Sequence, residues 1–248
     1  MSSGHGSKAF RIAGTHSPFL VVALMLLGII GCRTTVPDLT PGDLAAAIER
    51  LGRPLSGDPA ALYRMRVSSS GGLRMAVLTS GDNGRLTISE PFGSAVSLTS
   101  WTAANPPTFF DLRKGCRLES SDLERALGVA AMPLPQALRL LVGRLPATSE
   151  DRVTVREDGR IVVEGRDWAA LVQVAAGPYR VVSVEEAGRQ GGGWSFELKD
   201  HSLSVPGFVR VENPDGRWAE LDLVRLEWSE RGKLPPLPDL PPCSAEPG

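Results

Sequence analysis

Ala61-Leu62-Tyr63-Arg64-Met65-Arg66-Val67, followed after a turn by Leu73-Arg74-Met75-Ala76-Val77, is the stretch whose reading decides the fold. Ala61, Tyr63, Met65 and Val67 alternate with Arg64, Arg66 and Ser68, and Leu73, Met75 and Val77 alternate with Arg74 and Ala76. A period of two with one apolar side predicts strands that are half buried. The polar Ser69 to Gly72 turn between them makes the pair antiparallel. Gly81-Asp82-Asn83-Gly84 reads as a second hairpin turn. Leu86 and Ile88 carry the pattern on, Glu90-Pro91-Phe92-Gly93-Ser94 interrupts it, Val96 and Leu98 resume it, and Phe109 to Leu112 is a further short strand.

Upstream, Thr40-Pro41-Gly42-Asp43 reads as a helix start, with Thr40 as N-cap and Asp43 near the positive helix end. Leu44, Ile48 and Leu51 recur at helical spacing until Gly52, Arg53 and Pro54 end it. Downstream, Ser121-Asp122-Leu123-Glu124 is a capping-box pattern opening a short helix that ends near Gly128. Pro133-Leu134-Pro135 restarts a helix in which Leu134, Ala137, Leu138, Leu141 and Val142 form one stripe. Strands return at Arg152–Arg156, Ile161–Glu164, Ala169–Ala175, Tyr179–Glu185, Trp194–Lys199, Phe208–Glu212 and Trp218–Trp228. Turn residues separate them, among them Gly177-Pro178, Gly191 to Gly193 and Asn213-Pro214-Asp215-Gly216. A tail rich in proline (Pro235, Pro236, Pro238, Pro241, Pro242) can continue neither a helix nor a central strand.

The expected class is α+β. A long antiparallel sheet with one apolar face must curl and cover that face. The result is an incomplete barrel, a half-barrel, with helices covering the apolar concave side over residues 40–232 and a Pro-rich tail at 233–248.

Residues 1–39 carry a different signal. Lys8 and Arg11 precede an apolar run from Phe19 to Ile30, too short for the ~20 residues that span a bilayer. Ile29-Ile30-Gly31-Cys32 then reads as a lipobox: residues 1–31 as a lipoprotein signal peptide, Cys32 as the lipidation site, and residues 32–39 as a tether. Residues 1–31 hold two basic residues and no acid, so 25 basic and 28 acidic residues remain beyond them, a formal charge of −3. That balance argues against a nucleic-acid partner. Arg33, rather than an Asp, follows the cysteine, so the expected address is the periplasmic face of the outer membrane.

Of the three histidines, His5 and His16 lie in the signal segment, leaving His201. A histidine metal cluster is excluded, and His201 in Lys199-Asp200-His201-Ser202 reads as a solvated turn residue. No carboxylate pair or nucleophile constellation stands out, and Gly191-Gly192-Gly193 lacks the Lys-Ser/Thr of a phosphate loop. The expectation is a protein without catalytic residues, metal or cofactor. Cys116, read in a polar Lys114 to Arg117 turn, and Cys243 in the tail would face an oxidising compartment. Three readings stay open: a disulfide between them, two free thiols, or a tail that trails in solvent.

From Ala45 to Trp228 the sequence resembles the LolB family of outer-membrane lipoproteins. Three segments carry the likeness. The first is Arg85-Leu86-Thr87-Ile88-Ser89-Glu90-Pro91-Phe92-Gly93-Ser94. The second is Leu123-Glu124-Arg125-Ala126-Leu127-Gly128, followed by Met132-Pro133-Leu134-Pro135 and the Leu138 to Pro146 run. The third is the C-terminal pair of strands ending at Leu226-Glu227-Trp228. The chain departs from the family in its Pro-rich tail and in carrying Phe92 where the family loop has Leu.

The resemblance implies a monomer that receives acylated lipoprotein cargo from a LolA-like periplasmic carrier and places it among outer-membrane lipids. A non-transferring lipid- or glycolipid-binding envelope lipoprotein of the same fold is the alternative. It also implies that the loop Pro91-Phe92-Gly93 protrudes and enters the membrane, against the reading of Phe92 as a core plug. Tyr63, Met65, Met75, Val77, Ile88, Leu98, Leu138 and Leu141 are the expected lining of an acyl-chain cavity, or else an ordinary filled core. Methionine suits a variable apolar ligand because it is flexible and polarizable.

Overall fold

The computed structural model describes residues 39–243 apart from 54–56, 69, 82, 103–106, 119–131, 189–192, 203–204 and 230–233. The lipobox with Cys32, the tether before Leu39 and the helix expected at Ser121 to Gly128 lie outside the described residues. So does the tail beyond Cys243.

The described chain forms two helices, α1 (Pro41–Gly52) and α2 (Leu134–Leu141), and thirteen strands. The strands are β1 (Asp58–Val67), β2 (Ser70–Ser80), β3 (Asn83–Ser89), β4 (Ala95–Trp101), β5 (Thr108–Asp111), β6 (Cys116–Leu118), β7 (Arg152–Val155), β8 (Ile161–Glu164), β9 (Ala169–Ala175), β10 (Arg180–Glu186), β11 (Ser195–Lys199), β12 (Phe208–Glu212) and β13 (Trp218–Ser229). All belong to one sheet in the order β6-β5-β4-β3-β2-β1-β13-β12-β11-β10-β9-β8-β7. Every pairing is antiparallel. The two meanders, β1–β6 and β7–β13, join where β1 meets β13 in register from Asp58↔Ser229 to Val67↔Ala219. The outermost strands β6 and β7 do not pair with each other, so the sheet is unclosed.

One core cluster takes inward residues from both halves: Ala61, Tyr63, Met75, Val77 and Leu86 from one, and Ile161, Val163, Val172, Val184, Phe196 and Val209 from the other. A flat sheet this wide could not bring them together, so the sheet curves around them. Leu44, Ala47 and Leu51 of α1 and Leu138, Leu140 and Leu141 of α2 enter the same cluster. No helix among the described residues is long and apolar enough to cross a membrane.

Local chemistry sets the helix ends. Thr40 and Asp43 close a reciprocal capping box at the start of α1, which satisfies two of its free N–H groups. Asp43 also accepts from Tyr179 Oη at 3.3 Å, tying α1 to the β9–β10 turn. The far end of α1 is held to the α2–β7 loop by Leu145 N donating to Leu51 O (3.2 Å) and Arg144 Nη1 to Arg50 O (2.9 Å).

Three local expectations differ. Gly84 stands inside β3 rather than in the hairpin turn, and it is glycine for packing: a Cβ there would lie 1.9 Å from the Trp101 ring. Cys116 opens strand β6 instead of sitting in a turn. His201 is half-buried, and its Nε2–H donates to Val181 O at 2.8 Å.

The Pro-rich tail is docked, contrary to the reading in which it trails in solvent. Arg85 on β3 donates Nη2 to Pro235 O (2.5 Å) and Nη1 to Pro236 O (3.4 Å). Arg117 N donates to Pro241 O and Cys243 N to Arg117 O, both at 2.8 Å, so the tail runs beside β6. A disulfide joins Cys243 to Cys116, with Cα atoms 4.8 Å apart. Between Arg85 on β3 and Arg117 on β6 the tail must cross β4 and β5 on the outer face. It acts as a strap over one edge of the sheet.

Candidate functional site

The inner face of the sheet follows from its register. Leu226, Ala61, Val77, Leu86 and Thr99 stand side by side across β13, β1, β2, β3 and β4. The next inward row is Leu223, Tyr63, Met75, Ile88 and Ser97. This face, the loop before β7 and one side of α2 border a partly open cavity of about 550 Å³. Ala61, Tyr63, Val77, Trp101, Leu138 and Leu141 give it an apolar wall. Its rim is polar, with Asp58, Thr79, Gln136, Arg139, Thr148 and Glu150.

Tyr63 is fully buried, and its hydroxyl donates to Leu141 O at 3.0 Å, linking the sheet to the end of α2. Burial pushes its pKa up, so it stays a neutral donor. Gln136 is oriented by Nε2 donating to Asp151 Oδ2 at 3.2 Å, and the same oxygen accepts from Thr148 N and Oγ1. At the other wall Asp58 Oδ1 accepts from Gly81 N at 2.8 Å and pins the β2–β3 turn to the start of β1.

Of the eight residues expected to line an acyl-chain cavity, Tyr63, Val77, Leu138 and Leu141 do line this one. Met75 is buried in the core beside it, and Met65 and Ile88 are partly buried against the same core. Leu98 is the exception. It pairs with Thr87 and Phe110 on the face opposite Thr99 and Trp101, and it is not part of the inner cluster. A register shift between Ile88 and Ser89 sets which β4 residues face in, and a one-residue slip exchanges the faces. Leu98 and Phe110 are buried on the outer side, the side the tail crosses between Arg85 and Arg117. Trp101 is the lining residue that alternation missed. The pattern Val96-Leu98 pointed to the wrong face, and a Trp at the strand end, facing a glycine on the next strand, was the available signal.

The loop between β3 and β4 is the second feature. Gly93 N donates to Glu90 O and Glu90 N to Ser94 O, both at 2.9 Å. Pro91 occupies the position whose φ proline pre-sets in such a turn, and Gly93 supplies a φ of +98°. Arg113 Nη2 fixes the base of the loop on Glu90 Oε1 at 2.6 Å. Phe92, at the tip, is 99% exposed. The turn therefore holds a full aromatic ring in water, which is costly for a ring without a partner.

Cavity and loop sit at opposite ends of the strands. The cavity is bordered by the start of β1, the end of β2 and the end of β4. Phe92 follows the end of β3 and precedes the start of β4. At ~3.3 Å per residue, the six-residue step from Ala95 to Trp101 is roughly 20 Å. Among the described residues no group of His, Cys, Asp and Glu is arranged to hold a metal ion.

No family model matches the chain, and no curated protein matches it. The structure is similar to the crystal structure of a LolA superfamily protein, NE2245, from Nitrosomonas europaea. The two share 15% sequence identity and a TM-score of 0.48, over 79% of this chain and 96% of that one.

Proposed function

We propose that this protein is an outer-membrane lipoprotein that accepts acylated lipoproteins from a LolA-like carrier and inserts them into the outer membrane from its periplasmic face. Cys32 carries the anchor in this reading, and α1 and α2 cover the apolar concave face and admit acyl chains beneath them. The observation that carries it is Phe92, held in solvent by a hydrogen-bonded turn at the strand ends remote from the cavity. A water-exposed phenylalanine gains roughly 1.5–3 kcal/mol on entering lipid. The cavity suits the other half of the task, since each methylene kept from water is worth ~0.8 kcal/mol. Transfer without an energy source is downhill when the receiver holds the chains more tightly than the donor. Depletion of the protein followed by fractionation of the envelope tests the reading: lipoproteins accumulate outside the outer membrane if it holds, and keep their distribution if it fails.

The cavity's size supports a second reading, a lipid- or glycolipid-binding lipoprotein without transfer. About 550 Å³ falls within the roughly 300–1,000 Å³ of pockets that take a single small ligand. Normal lipoprotein sorting after depletion, with one lipid copurifying per chain, favours that alternative.

A further inference from the structure

Next to the Phe92 loop, Arg74 of β2 stands directly across from Ser89 of β3, three residues before Phe92. Arg64 of β1 stands directly across from Arg74. Both arginines point to the outer face, both are exposed, and neither has an ion-pair partner among the described residues. Like charges directly opposite each other on a sheet are destabilising. The neighbouring acids are engaged with other groups. Asp222, across from Arg64 on β13, is paired with Arg66 at 3.7 Å, and Glu220 with Arg66 at 3.1 Å. Glu90 is taken by Arg113, and Asp111 accepts from the backbone of Arg113 and Lys114 at 3.0 and 2.9 Å. One sheet end therefore presents a protruding aromatic ring backed by two guanidinium groups that make no direct ion pair among the described residues.

We propose that Arg64 and Arg74 form an anionic-lipid docking surface that sets the Phe92 loop on the membrane, with the phosphodiester of an anionic glycerophospholipid between the two guanidiniums. The occupant follows from charge and geometry. Guanidinium pairs match phosphate oxygens in forked hydrogen bonds. The two arginines share a face with Ser89, at the base of the loop that carries Phe92. An apolar anchor alone would not discriminate among lipids. This inference rests on the membrane-facing role of Phe92 and names the lipid class that role requires.

The test uses the full chain with Phe92→Trp and reads quenching by lipids brominated in their acyl chains, relative to the chain with Phe92. Vesicles are phosphatidylcholine alone or with phosphatidylglycerol. Phosphatidylglycerol should raise quenching of the loop tryptophan. Each basic residue near an anionic surface contributes about fivefold in partitioning. Arg64→Gln with Arg74→Gln should therefore lower the phosphatidylglycerol-dependent partitioning by roughly 25-fold, whereas Arg64→Lys with Arg74→Lys, which keeps the charge but loses the fork, should fall between that variant and the parent. Equal quenching in both vesicles, or a double glutamine variant that keeps the full response, overturns the proposal. If quenching behaves as expected but cargo transfer is absent, the transfer reading fails and this surface stands.

Discussion

Cutting the strap measures how much the outer face depends on it. Cys243→Ser removes the disulfide to Cys116, which closes a sequence separation of 127. In the chain-entropy model a loop of that length is worth about 5 kcal/mol at 25 °C, an upper value because strain and residual structure reduce it. The tail keeps its two backbone bonds to Arg117 and the Arg85 grip, so the expected loss is about 2–4 kcal/mol. Ending the chain before residue 234 should cost more, because Leu98 and Phe110, now 8% and 3% exposed, would meet water. Each such side chain is worth roughly 1.5–3 kcal/mol. Urea denaturation of the oxidised parent, Cys243→Ser and the truncated chain gives the three values. For a domain of this size each 1 kcal/mol moves the midpoint of thermal unfolding by about 2–4 °C. A Cys243→Ser protein within ~0.5 kcal/mol of the parent, or a truncated chain no weaker than Cys243→Ser, would refute the strap.

Three further outcomes follow from the packing. Gly84→Ala should destabilise by roughly 1–3 kcal/mol through overpacking, since its Cβ would overlap the Trp101 ring; thermal denaturation checks it. Tyr63→Phe should cost about 1–3 kcal/mol by leaving Leu141 O without its donor, and equilibrium unfolding measures the loss. Burial holds the His201 pKa below 6.5. Its contribution to stability is therefore complete above about pH 6.5 and is lost as pH falls toward the folded-state pKa; a stability slope in that window that survives His201→Gln would contradict the assignment.

The sheet was legible because alternation is a direct imprint of one-sided burial. Ala61 to Val77 gave the right faces for β1 and β2, and the capping box at Thr40 and Asp43 placed α1. Alternation failed where burial is two-sided. Under the strap, β4 and β5 are apolar outward, so Leu98 looked like lining and Trp101 did not. The strap itself was invisible because its docking is carried by backbone carbonyls, which sequence does not display, and by Arg85, one arginine among many. The turn at Pro91-Phe92-Gly93 was legible in shape because proline and glycine restrict and extend φ in known ways. The outward arginine pair needed the register of three strands before it could be seen.

The central claim is best tested by following a radiolabelled triacylated lipoprotein from a LolA-like donor through this protein into vesicles. The protein should draw cargo from the donor and deliver it to the lipid. Phe92→Glu should leave cargo acceptance near that of the parent and depress delivery about tenfold or more, because a carboxylate at the loop tip is costly to bring into lipid. Unchanged delivery by Phe92→Glu, or no withdrawal of cargo from the donor by the parent protein, would contradict the account.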